Sequence, residues 1–288
     1  MIDFLGRRYL LFFVSAVLIC AGPVAYLSGY GLKSHIDFAG GTEVRLTFEQ
    51  ALEIGSVRNA VRGAGFDDAV IQCAGSTGRG FLVTLNESRP GVSDELVAAV
   101  TASLQTPVVV EGVEVVGAAA GQEVRLNALI SILLTLLVLL GYVAFFHSFS
   151  YGVGAIVALL HDLFLLFAFL VIFQIPFSLQ VLAAVLALLG YSLNDTVVIF
   201  SRIRENAQNS RYSRDSAYDI VKISLNDVLS RTLKTSLSTF IALVPLIIIG
   251  GSSVYYFALT MAVSVVIGTY SSVYVASPIV LALGNNRL

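Results

Sequence analysis

Six runs of apolar residues, each long enough to cross a bilayer as a helix, constrain this chain more than any other feature. They lie at Tyr9 to Gly29, Leu126 to Phe146, Tyr151 to Phe173, Ser178 to Phe200, Thr232 to Ile249 and Val254 to Leu283. A helix rising about 1.5 Å per residue needs roughly 20 residues, within a range of about 17 to 25, to cross some 30 Å of hydrocarbon. Each run therefore predicts a transmembrane helix. Composition agrees, because 57% of the residues are apolar and only 12% charged, where a soluble domain has about a quarter charged. A net charge of −2 with no basic stripe excludes a nucleic-acid partner, which needs cations to neutralise phosphates.

The first run follows Arg7 and Arg8 as a signal peptide would, but it exceeds the roughly 7 to 15 residues of a signal-peptide apolar core. No small-x-small cleavage site closes it, and Ile19 stands where a lipoprotein signal wants a small residue before Cys20. It reads as a retained span. Cys20 sits in that span and Cys73 in a polar segment, so they occupy different phases and do not pair. No zinc-ligand spacing occurs, and no metal or other cofactor is expected.

Composition divides the chain into residues 1–30, 31–124 and 125–288, with an amphipathic cytoplasmic loop at about 201–231. The positive-inside bias of short loops sets the orientation. Arg7 and Arg8 hold the N-terminus inside, and six crossings return Arg287 to the same side. The loop carrying Arg202, Arg204, Arg211, Arg214 and Lys222 is then cytoplasmic too, and residues 31–124 lie outside. Within them, EVRLTF (Glu43 to Phe48), DAVIQC (Asp68 to Cys73), GFLVTL (Gly80 to Leu85) and VEVVGA (Val113 to Ala118) read as strands. The second and third form a hairpin around Gly75 to Gly78. Helices are predicted over Ile54 to Gly63 and from a Ser93 cap to Leu104. Strand, helix, strand, strand, helix, strand is the ferredoxin-like order. The fold class is a six-span α-helical membrane protein with a small α+β domain between helices 1 and 2.

Ionisable groups inside a span are functional candidates by default. His161 and Asp162 fall mid-way along the third span, and Asp195 in the cytoplasmic third of the fourth. Arg231 and Lys234 open the fifth. Asp195 and Arg231 could pair across neighbouring helices, and proton binding at Asp195 would then break the pair and shift the helices. The alternative is that these charges hold helices together or snorkel to the interface. The residues alone leave both readings open, as they do for His161. Asn127, Ser131 and Thr135, then Gly190 and Asn194, then Thr260, Ser264 and Gly268 form small or polar stripes that permit close helix contact. Thr235, Ser238 and Thr239 continue the Arg231 face, either lining a hydrated path or packing. Ala217, Ile220, Val221, Val228 and Leu229 give the cytoplasmic loop an amphipathic helix, either lying along the membrane face or solvated without a partner.

DFAGGT (Asp37 to Thr42) just after the first span, HD (His161, Asp162), LLGYSLNDTVVIFSRIREN (Leu188 to Asn206) and SRTLKTSLST (Ser230 to Thr239) together resemble the SecD/SecF family in order and spacing over nearly the whole chain. VGAAAGQE (Val116 to Glu123) is similar to the family's exit from its outer domain, with Ala118 where proline is usual. Ser201 replaces a common aspartate. The resemblance implies a bacterial inner-membrane subunit of protein export, related to the resistance-nodulation-division transporters and driven by a proton gradient, or by sodium. It implies SecD, the SecYEG channel, YajC and a translocating unfolded polypeptide as partners, besides membrane lipid. It also implies that Asp195, with Asn194 beside it, and Arg231 take part in proton coupling, and that Asp37, Gly40, Gly41 and Thr42 form the hinge into the outer domain.

Other functions must be weighed. Asp162 and Asp195 could form an intramembrane aspartyl protease dyad, but Ser192, Leu193 and Asn194 before Asp195 are unlike the glycine-flanked aspartates of such enzymes. Half of an efflux transporter would need paired outer subdomains, and about 90 residues hold one. A purely structural anchor is the third possibility, and the buried charges speak against it without excluding it.

Overall fold

A computed structural model of the chain describes residues 2–74, 77–146, 149–212 and 215–284. Gly75 of the expected hairpin, Arg214 of the basic loop and Arg287 lie outside the described residues. Six helical stretches there are long and apolar enough to cross a membrane: Leu5–Tyr30, Ala118–Phe145, Phe149–Ile172, Leu179–Gln208, Ala217–Ile249 and Val254–Leu283.

The first span is α1 (Arg8–Ala25) followed by a π turn at Tyr26–Tyr30, where Gly29 (φ 95°) breaks the helix. After it come a short α2 (Ile36–Ala39), β1 (Gly41–Phe48), α3 (Ile54–Gly63), β2 (Val70–Ala74), β3 (Gly80–Leu85), α4 (Val92–Leu104) and β4 (Val108–Val116). The remaining spans are α5 (Ala118–Phe146), α6 (Phe149–Ile172), α7 (Leu179–Gln208), α8 (Ala217–Ile249) and the sixth, built of α9 (Gly251–Ser271), a π turn and α10 (Ser277–Leu283).

The extramembrane domain is a four-stranded antiparallel sheet in the order β2-β3-β1-β4 with α3 and α4 alongside it, the ferredoxin-like arrangement. Alternation puts Val44, Leu46 and Phe48 of β1 on the same side as Phe81, Val83 and Leu85 of β3, where they meet Val57 and Val61 of α3 and Leu96 and Val100 of α4. Each such side chain contributes about 1.5 to 3 kcal/mol on burial, which makes this cluster the main favourable term in the domain's folding. The helix α4 starts one residue before the expected Ser93 cap. Gly91 precedes it in a left-handed conformation (φ 82°), with no side-chain cap, and Ser93 lies inside the first turn. The last strand begins earlier than expected, at Val108, because its partner β1 extends to Phe48.

In the bundle α6, α7 and the sixth span are half buried, while α1, α5 and α8 flank them with far less of their surface covered. Lipid tails are as apolar as leucine, so close packing rather than water exclusion joins these helices. A methyl group on Gly22 of α1 would lie 2.7 Å from Ala168 Cβ of α6, and one on Gly268 of α9 would lie 3.1 Å from Ser192 Cβ of α7. The stripe Thr260, Ser264, Gly268 thus faces α7. Gly190 and Asn194 do not perform that service, since both are exposed and Gly190 has open space beside it.

The separate amphipathic helix expected on the membrane face at about 201–231 is replaced by extensions of two spans. The 30 residues of α7 and 33 of α8 measure about 45 and 50 Å, well beyond the hydrocarbon. Their extra turns pack on each other, with Val221 of the amphipathic face in one buried cluster with Ile203 and Phe200 of α7, and Ile220 buried beside it in sequence. Asn206 Nδ2 donates to Ser224 Oγ (3.0 Å) and Asp227 Oδ2 (3.2 Å), and Arg202 pairs with Asp227 at 2.8 Å. Ser216 caps α8 by accepting from Asp219 N.

Candidate functional site

Asp195 lies sixteen residues into α7, about 24 Å from its start and near the middle of the rod. It is 3% exposed, and its Oδ2 is buried without a hydrogen-bond partner. A buried carboxylate oxygen is expensive to leave unpaired, so this atom is poised to take a proton or a cationic partner. Arg231 is the cation whose charge acts on it, from α8, which packs against α7. The two form no ion pair here among the described residues, and the Arg231 side chain is exposed at the bundle surface. Asn194 points away from the buried side of α7 and is exposed, because neighbours in a helix are turned about 100° apart.

The other expected polar site draws in residues the sequence reading did not assign to it. Asp162 is fully buried and accepts hydrogen bonds from Ser192 Oγ of α7 (2.5 Å) and Ser271 Oγ of α9 (2.8 Å), with His161 Nδ1 3.0 Å from its Oδ1. Three spans meet at one carboxylate. His161 also stacks on Tyr270 (ring centroids 5.9 Å apart), whose hydroxyl contacts Ser15 Oγ of α1 at 2.7 Å and donates to Leu11 O at 2.9 Å. The polar connection therefore reaches a fourth span. Asp162 and Asp195 share no hydrogen bond among the described residues, so the protease dyad is not assembled. A second link runs from Tyr191 of α7 to Ser236 of α8 (3.2 Å) and on to Thr269 of α9 (2.6 Å). One signal for Ser271 was available: it continues the Thr260, Ser264, Gly268 stripe by one more turn.

At the neck of the extramembrane domain, DFAGGT performs three tasks. Asp37 Oδ2 accepts from Leu179 N (2.9 Å), so this carboxylate and Ser178, which accepts from Val181 N, together cap α7. Gly40 (φ 78°) and Gly41 (φ 141°) have backbone conformations that other residues strain to adopt, and both are in close contact. A Cβ on Gly40 would lie 2.9 Å from Ala118 Cα, and one on Gly41 would lie 2.3 Å from Leu85 O. From the other side, a Cβ on Gly121 would lie 3.0 Å from both Gly40 N and Phe38 O. Thr42 is buried, and its Oγ1 donates to Glu87 O at 2.7 Å. DFAGGT and VGAAAGQE thus form a tightly packed junction instead of a loose turn.

Sequence comparison matches residues 96–286 to the family described as "Protein export membrane protein SecD/SecF, C-terminal". The protein translocase subunit SecF of Pseudomonas aeruginosa is 38% identical over 98% of this chain and 91% of its own length. That of Escherichia coli O157:H7 is 33% identical over 99% and 88%. A crystal structure of SecDF, a translocon-associated membrane protein from Thermus thermophilus, superposes with a TM-score of 0.87 at 34% identity, and SecDF in a super-membrane-facing form with 0.74. Each likeness covers 99% of this chain and 39% of the SecDF chain. Given that six-span bundle, its inserted ferredoxin-like domain and near full-length likeness to these subunits, the chain belongs to the SecD/SecF family of protein-export membrane proteins, on its SecF side.

Proposed function

We propose that this chain, with a SecD partner, uses the proton gradient across a bacterial inner membrane to promote late steps of protein export, and that Asp195 binds and releases the coupled proton. The reading puts both termini in the cytoplasm and the ferredoxin-like domain in the periplasm. It takes SecD, the SecYEG channel, YajC and the unfolded polypeptide as partners. Support for SecD comes from the solved SecDF chains, of which this chain matches 39%. The weakly covered α1, α5 and α8 leave lipid or a partner to complete the bundle.

The observation that carries the mechanism is the unpartnered, buried Oδ2 of Asp195 beside a span bearing Arg231. Ionised, that carboxylate attracts Arg231; protonated, it does not, and the balance between α7 and α8 shifts. The mobile charge belongs to Asp195, and the Asp162 cluster is the pivot that keeps α6, α7 and α9 together. Asp37, which caps α7, connects that helix to the domain that would act on the exported chain.

Export into inverted membrane vesicles, with and without an imposed pH gradient, tests this. Asp195→Asn retains insertion and assembly with SecD, and loses the gradient-dependent stimulation of export. Full stimulation in that variant refutes the assignment. Replacing the proton gradient with a sodium gradient in the same vesicles identifies the coupling ion.

A further inference from the structure

Between the extramembrane domain and the membrane bundle lies a small polar pocket whose groups are not used by the proposed proton site. His35 lies there with three carboxylates around it: Asp37 of α2, Glu43 of β1 and Glu114 of β4. Its Nε2 is 2.7 Å from Glu43 Oε2, and its Nδ1 is 3.1 Å from Asp37 Oδ2, outside hydrogen-bond angles. Tyr256 of α9 is the other titratable group facing the pocket, and β2 and α7 contribute only neutral side chains. Glu43 and Glu114 stand directly opposite each other across the β1–β4 pair, an unfavourable like-charge placement unless a cation lies close by.

The backbone on both sides of His35 is tied to the bundle. His35 N donates to Phe177 O (3.0 Å), and Phe177 N donates to Lys33 O (2.7 Å). Asp37, whose Oδ2 lies 3.1 Å from the imidazole Nδ1, caps α7, the helix that carries Asp195. Glu43 belongs to the central strand β1, which is paired to both β3 and β4. One ring therefore connects the domain's sheet to the first turn of the fourth span.

We propose that His35 is a latch between domain and bundle: as an imidazolium it bridges Asp37 and Glu43 and holds β1 against the N-terminal end of α7, and on losing its proton it lets the domain swing away. The inference goes beyond the proposed function and concerns a different titrating group. Burial opposes the charged ring, but the carboxylates of Asp37 and Glu43 outweigh it and raise His35 from 6.5 to about 9. A raised histidine contributes fully below its unfolded value and loses that contribution as pH climbs through the folded one. The latch is thus closed at neutral pH and opens as pH rises through about 9.

Electron-electron spin resonance distances test this in the full chain in lipid nanodiscs. Spin labels are placed at Asp68→Cys in the domain and Phe173→Cys at the end of α6, with Cys20→Ser and Cys73→Ser removing the native thiols. The expected result for wild-type His35 is one narrow distance at neutral pH, and a second population that becomes the majority above a midpoint near 9. His35→Gln shows the second population at neutral pH, and His35→Lys, which keeps a cation, restores the narrow distance. A merely structural role would not give a pH midpoint in the wild type. An unchanged wild-type distribution through the alkaline range overturns the proposal, as does a His35→Gln distribution identical to wild type at neutral pH. Neither result depends on export or on Asp195.

Discussion

Asp162→Ala removes the acceptor on which Ser192, Ser271 and the Nδ1 of His161 converge. Ordinary interhelical hydrogen bonds in membranes average only about 0.6 kcal/mol, because the separated helices find other partners. By that measure the two serine bonds would be worth little more than 1 kcal/mol together. Two features of the site raise the figure. Asp162 is 0% exposed, so no water replaces it, and a buried polar group left without its partner costs about 1 to 3 kcal/mol, a cost that falls on more than one group here. We expect a loss of about 3 kcal/mol for Asp162→Ala, and under about 1.5 kcal/mol for Asp162→Asn, which preserves shape and one acceptor oxygen. Reversible unfolding of the purified chain in mixed micelles measures both. Ser192→Ala and Ser271→Ala should each cost about 1 kcal/mol alone and almost nothing in the Asp162→Ala background, a coupling that a double-mutant cycle isolates. If Asp162→Ala falls within about 0.5 kcal/mol of wild type, the level of an indifferent surface change, the carboxylate does not join the three spans.

Gly41→Ala places a methyl group 2.3 Å from the Leu85 carbonyl at φ 141°. The obstacle is backbone, so the end of the β1–β3 ladder must open, and thermal melting should record a loss of about 2 to 4 kcal/mol. Gly63→Ala in α3, with nothing within 4 Å, should instead stabilise the domain by about 0.5 to 1 kcal/mol. At the α7–α8 connection, Ser216→Ala deletes the cap on Asp219 N. It should cost about 1 kcal/mol, read as faster amide exchange confined to the first turn of α8.

Hydropathy located all six spans but misplaced several of their ends, for a physical reason. It reports which residues prefer hydrocarbon, whereas a helix continues while its backbone bonds and caps allow. The fifth span therefore starts at Ala217 behind its Ser216 cap, long before the apolar run beginning at Thr232. The amphipathic pattern of Ile220 and Val221 was visible, and its meaning was not, since a stripe that covers another helix has the same period as one that covers lipid. The strand GFLVTL and the helix Ile54–Gly63 matched to the residue. Within the polar sites, Asp162 and Asp195 were legible because charge in a span is rare. Ser192 and Ser271 were not, since a hydroxyl in a membrane helix usually bonds back to its own backbone, as Ser131 and Thr135 do. His35 is not legible from sequence, because its significance depends on Glu43 and the α7 terminus approaching it in space.

Gly40 and Gly121 leave no gap between the strand that climbs into the extramembrane domain and the helix that descends from it. The two chain crossings into the domain consequently form one doubled stem. Load applied to its outer end cannot bend one leg without the other, and reaches α1 and α5 at once, while a residue inserted in either leg would part the two and slacken both.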